Sequence, residues 1–175
     1  MKNANQSGGC CTSGANCCSS PEASRKELVV DFLYLDLTVC GRCQDTDSSL
    51  DEALQDVSKV LETTGVSVRV NKINVRTEEQ AQALQFLSSP TIRVNGQDIQ
   101  LDVHESECEA CGDLCGESVD CRVWTYQGRE YSAPPKALIV EALLKHVYGG
   151  AQSVASSAPY VMPENLRRFY AASSK

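Results

Sequence analysis

Residues 28–44 read LVVDFLYLDLTVCGRCQ, and this stretch decides the fold. Its apolar run, Leu28 to Val39, is rich in β-branched and aromatic side chains and has the composition of a buried strand. The run leads straight into a C-x-x-C, Cys40 and Cys43. Beyond it, Leu50, Ala53, Leu54, Val57, Val60 and Leu61 recur at helical spacing on one face. Thr46 or Asp47 is placed to cap that helix, Asp51 and Glu52 suit its first turn, and Gly65 ends it. Strand, paired thiols and helix in this order put the sulfurs near the positive end of a helix dipole, where a thiolate is stabilised. Such thiolates either exchange electrons or hold a soft metal.

Outward from this stretch the elements alternate. Val66 to Val75, VSVRVNKINV, is a period-two strand, and Arg76 to Ser88 reads as a second helix on Ala81, Leu84 and Leu87. Thr91–Val94 is a short strand, Asn95-Gly96 a hairpin turn, and Gln97 to Val103 the returning strand. Alternation resumes from Arg122 to Tyr131 around Gln127-Gly128, and Pro134 and Pro135 open a final helix, Lys136 to Tyr148. The order β-α-β-α-β-β-α defines an α/β domain over 25–150, with parallel pairing through right-handed crossovers expected. Residues 104–121, HESECEACGDLCGESVDC, interrupt it as a Cys-rich insertion with little to form a core. Residues 151–175 read as a linker and a short helix, with Pro163 in its first turn. Leu166, Phe169 and Tyr170 would dock that helix on its own domain. Residues 1–24 hold Asn, Ser, Gly, Ala and Cys with almost no large apolar side chain, so this tail is expected to be disordered.

Net charge and cysteine usage narrow the function. The chain of 175 residues carries a formal charge of −7, which argues against a nucleic-acid partner. No apolar run is long enough to span a membrane, and MKNANQSGGCC has no secretory h-region. A cytoplasmic location is therefore expected. Ten cysteines in a reducing compartment point to metals or redox turnover rather than structural disulfides. They fall in three groups: Cys10, Cys11, Cys17 and Cys18 in the tail; Cys40 and Cys43 after the first strand; Cys108, Cys111, Cys115 and Cys121 in the insertion.

The element order, with the C-x-x-C after the first strand and Ser88-Ser89-Pro90-Thr91 before the third, resembles the thioredoxin-like fold. The resemblance covers roughly residues 28–148. It implies a cis Pro90 facing the cysteines, Cys40 as exposed nucleophile and Cys43 as resolving thiol. Gly41-Arg42 stands between the cysteines where that family has Gly-Pro, and Tyr34 stands where it has a buried acid. The chain is also similar to an uncharacterised bacterial thioredoxin-like group sharing the C-x-R-C and Pro-Glu-Asn-Leu segments. Its tail, Cys10-Cys11 and Cys17-Cys18, is similar to the vicinal pairs of ArsD-type arsenic metallochaperones, which implies metalloid capture.

Vicinal cysteines close a strained ring when oxidised, whereas dithiol capture of a soft ion needs no such ring. The tail sulfurs are therefore read as ligands for trivalent arsenic, zinc or copper(I). Cys108, Cys111, Cys115 and Cys121 could form an all-cysteine zinc site that holds the insertion together. Alternatively, the insertion folds over the C-x-x-C and supplies thiols to it. His104 is read as a solvated loop residue, His146 as a cation suited to a helix C-terminus, and Asp98, Asp102, Glu105, Glu107 and Glu109 as a solvated face. The leading expectation is an ion-binding thioredoxin-like protein with no organic cofactor, whose partners are the ion and a protein donor or acceptor of ions or electrons. The rivals are a thiol–disulfide oxidoreductase using Cys40 and Cys43, with Pro90 opposite, and a zinc-stabilised interaction module.

Overall fold

The computed structural model describes residues 26–109, 119–150 and 159–173. Cys10, Cys11, Cys17, Cys18, Cys111 and Cys115, and with them the tail and linker expectations, lie outside the described residues. A four-stranded sheet forms in the order β2-β1-β3-β4, from β1 (Lys26–Tyr34), β2 (Val66–Asn74), β3 (Thr91–Val94) and β4 (Gln97–Asp98). Strand β1 is flanked on both sides, which is why its sequence is nearly continuously apolar.

β1 and β2 pair in parallel, from Lys26 opposite Val66 to Tyr34 opposite Asn74. The helix between them, α1, runs Gly41–Thr63. The expected parallel entry of the third strand does not occur: β3 is antiparallel to β1, with Thr91 opposite Leu33 and Val94 opposite Val30. The cause is the length of α2, Glu78–Ala83, only six residues. At 1.5 Å per residue it covers about 9 Å, far short of the roughly 30 Å needed to return along β2. The chain stays at the end where β1 and β2 finish, and β3 starts from there. β4 is also shorter than expected, because the Asp98 side chain turns back to accept from the Gln100 N–H at 2.9 Å.

The two faces of β1 feed two cores. Leu28, Val30 and Phe32 pack with Leu50, Ala53, Val57 and Leu61 of α1 and with Ile139 and Leu143 of α3 (Lys136–Tyr148). Leu33 begins a second cluster with Leu35, Val75, Ala81 and Phe86. Leu166, Phe169 and Tyr170 of α4 (Glu164–Ser173) are buried in that second cluster, so this helix docks on its own chain as its apolar side implies. Tyr170 donates its hydroxyl to the Val75 carbonyl at 3.1 Å, and burial raises its pKa above the ordinary tyrosine range.

The insertion contributes more order than its composition suggests. Its flanks build a second, three-stranded antiparallel sheet, β5-β6-β7, from His104–Glu107, Asp120–Tyr126 and Arg129–Tyr131. β6 serves both cores: Cys121, with Val119 just before the strand, joins the second cluster, while Trp124 joins the first. No helix among the described residues is long and apolar enough to cross a membrane.

Candidate metal centre

The site begins where α1 begins. The helix starts at Gly41, five or six residues before the expected cap at Thr46 or Asp47, so Cys40 is its N-cap and Cys43 lies in its first turn. Thr46 is inside the helix and donates to the Arg42 carbonyl at 2.7 Å. The early start follows from the loop before it. Asp36 Oδ1 accepts from the Thr38 N–H and hydroxyl, both at 2.6 Å, and from the Val39 N–H at 2.9 Å. Partial burial pulls the Asp36 pKa up, but the hydrogen bonds from Thr38 and Val39 prevail and leave it below the usual carboxylate value. Gln44 holds the loop from the other side by donating to the Leu37 and Thr38 carbonyls, while its N–H caps back onto the Cys40 carbonyl at 3.0 Å.

Three sulfurs then converge. The Sγ atoms of Cys40, Cys108 and Cys121 lie within 4.8 Å of one another, and all three residues are buried. Cys108 follows β5 and donates its N–H to the Val119 carbonyl at 2.9 Å, while Cys121 sits on β6 opposite Ser106. Among the described residues no disulfide joins any of these cysteines. Cys40, which the thioredoxin resemblance would leave exposed, is 0% accessible. The insertion covers it, and of the two arrangements expected for the insertion, this one brings its thiols to the C-x-x-C.

Arg42 is what joins the two parts. One guanidinium nitrogen donates to the Ser106 carbonyl, the Ser106 hydroxyl and the Cys121 carbonyl, at 3.3, 2.9 and 3.1 Å. The other reaches the Glu107 carbonyl at 2.8 Å. A planar fork with five donors suits this gathering of acceptors, and a lysine ammonium would not. The hydrogen bonds of Arg42 are spent on β5 and β6, the strands that bring Cys108 and Cys121 to Cys40.

The floor of the site is Ser89. Its hydroxyl is 3.5 Å from Cys43 Sγ and accepts from the Leu35 N–H at 3.1 Å. Its carbonyl accepts from the Arg122 N–H at 2.8 Å, which ties β6 to the segment entering β3. The Ser89–Pro90 peptide bond is cis. Next to Cys121, Arg122 is fully buried and meets both Asp98 carboxylate oxygens at 2.7 and 2.9 Å, the Thr91 hydroxyl at 2.9 Å and the Gln100 carbonyl. It also lies 4.3 Å from the centre of the Trp124 ring. Asp98 is therefore not part of a solvated face, as its acidic surroundings in sequence suggested; its side chain is 14% exposed and ion-paired.

Asn165, in the Pro-Glu-Asn-Leu segment, grips the start of β6. It accepts from the Asp120 N–H at 3.0 Å and donates to the Asp120 carbonyl at 2.7 Å. His104 is exposed, faces Asp102 at 3.1 Å and does not join the sulfur cluster. Arg42, Ser89, Arg122 and Asn165 were not expected as site residues, although Arg42, Ser89 and Asn165 lie in the C-x-R-C, Ser-Ser-Pro-Thr and Pro-Glu-Asn-Leu segments that carry the resemblances.

Three buried thiols this close together favour a soft ion over a hard one, since oxygen-seeking cations such as Mg²⁺ and Ca²⁺ need carboxylates and carbonyls. Thiolates held at 2.3 Å from a tetrahedral centre are about 3.8 Å apart, so a spread of up to 4.8 Å closes with a contraction of about 1 Å.

A family model for a domain of unknown function, DUF2703, matches residues 28–143. That span includes Cys40, Cys43, Cys108 and Cys121 and ends before α4. No curated protein matches the chain, and no solved structure does.

Proposed function

The chain belongs to the DUF2703 family, and we propose that it binds a soft, thiophilic metal or metalloid ion through Cys40, Cys108 and Cys121. The observation that carries this reading is the convergence of three buried sulfurs from two separate parts of the chain. Zinc, copper(I) and trivalent arsenic all suit thiolate donors. In this reading the domain is thioredoxin-like, supported by the β-α-β-α-β-β order and by cysteines at the first strand-to-helix junction. The tail thiols, Cys10, Cys11, Cys17 and Cys18, would capture the ion in the cytoplasm and pass it to the buried site, with Cys111 and Cys115 as further donors. A protein that delivers or accepts the ion would complete the route. A thiol–disulfide oxidoreductase is the weaker reading, because a nucleophile at 0% accessibility cannot meet a protein disulfide without the insertion lifting.

The test is a titration of the reduced, full-length protein with Cd²⁺, following the thiolate-to-cadmium charge-transfer absorption. With Cys10, Cys11, Cys17 and Cys18 replaced by serine, one ion per chain should still bind. Adding Cys40→Ser, Cys108→Ser or Cys121→Ser should weaken that binding by about a hundredfold or more. Equal binding by all these variants would end the proposal. Elemental analysis of the purified chain then identifies any ion it retains.

A further inference from the structure

We propose that Cys43 is a redox release for this site: its oxidation onto Cys40 removes one of the three sulfurs and frees the ion. The inference rests on the ion-binding reading above. Cys43 is fully buried in the same cluster as Cys40, Cys108 and Cys121, yet it is not one of the three convergent sulfurs. It stands three residues into the chain from Cys40, at the start of α1. Positions i and i+3 of a helix have Cα atoms about 5 Å apart. That falls inside the range of roughly 4.4–6.8 Å that a disulfide spans. Cys40 itself is outside the helix, with φ −81° and ψ 103°, so its side chain can swing without breaking a helical turn.

Cys40 thus has two mutually exclusive uses. As a thiolate it completes the trio; as half of a disulfide it has no charge to offer and is no longer a ligand. Among the described residues that leaves Cys108 and Cys121, two sulfurs where there were three, and the hold on the ion weakens. Burial of all four residues selects the oxidant by size: a hydroperoxide can enter where a protein disulfide cannot. The Cys43 thiolate attacks the peroxide O–O bond, giving a sulfenic acid and a hydroxide, which takes up the proton the Cys43 thiol gave up and becomes water. The Cys40 thiolate then attacks the sulfenic sulfur, the S–S bond forms, and the expelled hydroxide takes a proton from solvent and leaves as a second water. Two electrons pass from the two sulfurs to one peroxide, and the ion departs with the bond to Cys40.

The experiment uses the full-length chain with Cys10, Cys11, Cys17 and Cys18 replaced by serine, loaded with Cd²⁺ and exposed to one equivalent of hydrogen peroxide. Cadmium should leave as a Cys40–Cys43 disulfide appears in peptide maps, and dithiothreitol should restore binding. Cys43→Ser and Cys43→Ala should bind Cd²⁺ as tightly as the parent but release it about tenfold more slowly. Release at the parental rate would overturn the inference, as would weaker cadmium binding by both folded variants, which would make Cys43 a ligand. The parent alone also decides: a first disulfide between any other pair overturns it. If Cys108→Ser leaves cadmium binding unchanged before any peroxide is added, the ion-binding reading itself fails, and the redox release fails with it.

Discussion

Arg42 shows how much one side chain can do for a site through the backbone that carries its sulfurs. It donates to backbone carbonyls and one hydroxyl on the strands bearing Cys108 and Cys121, and so sets how close those sulfurs come to Cys40. Arg42→Lys keeps the charge but loses the fork, and is expected to lower Cd²⁺ affinity about tenfold. Cadmium titration of the two proteins, with circular dichroism to show that the fold persists, checks this. At this scale the sequence was half legible. The C-x-x-C and the insertion cysteines could be read from spacing alone, because thiols have few other uses in a reducing compartment. Which of them meet could not, because Cys108 and Cys121 reach Cys40 through hydrogen bonds made by Arg42, Ser89 and Asn165, residue types common on any surface.

Among the elements, hydrophobic period was a good guide and boundaries were not. The face Leu50, Ala53, Val57 and Leu61 is buried as its spacing implied, while Val60 is half exposed. The start of α1 was misplaced because Thr46 and Asp47 look like caps, whereas the turn is set earlier by Asp36. The direction of β3 depended on the length of α2, whose end at Leu84 no Gly or Pro announces. The role of α4 is likewise a matter of contact rather than pattern. Asn165→Ala would leave the Asp120 N–H and carbonyl without their partner, a cost of about 1–3 kcal/mol. Chemical denaturation should show that loss, and because Asp120 precedes Cys121, cadmium affinity should fall with it.

For the whole molecule, ion binding and folding should be coupled. The three ligands come from both ends of the sheet-forming sequence, so an ion that holds them favours the folded chain over the unfolded one. At a free concentration a hundred times its dissociation constant, the ion should add about 2.7 kcal/mol. Each thiol must lose its proton to bind, so this gain should shrink as pH falls and grow as it rises. Thermal melts with and without Cd²⁺ at pH 6 and pH 8 measure it: the difference should be larger at pH 8 and absent in Cys40→Ser. The α/β class could be read from the order of elements, and the β6–β7 hairpin from the alternation around Gln127-Gly128, but β5 could not. All four of its residues are exposed, and it is held by pairing to β6 rather than by a hydrophobic pattern of its own.

The sheet order has one more consequence, for life in a crowded solution. β2 is outermost, and its nine residues include the partly exposed Val68 and Val70. A strand that is at the edge of the sheet among the described residues invites another chain to add to it. Two cations guard it: Arg69 meets Glu27 at 3.1 Å, and Lys72 meets Asp47 and Asp51 at 2.6 and 3.0 Å. Lys72→Val should leave the monomer folded yet raise its tendency to self-associate, visible as concentration-dependent light scattering. The charges on this strand work against its pairing edge to edge with a second copy of the chain.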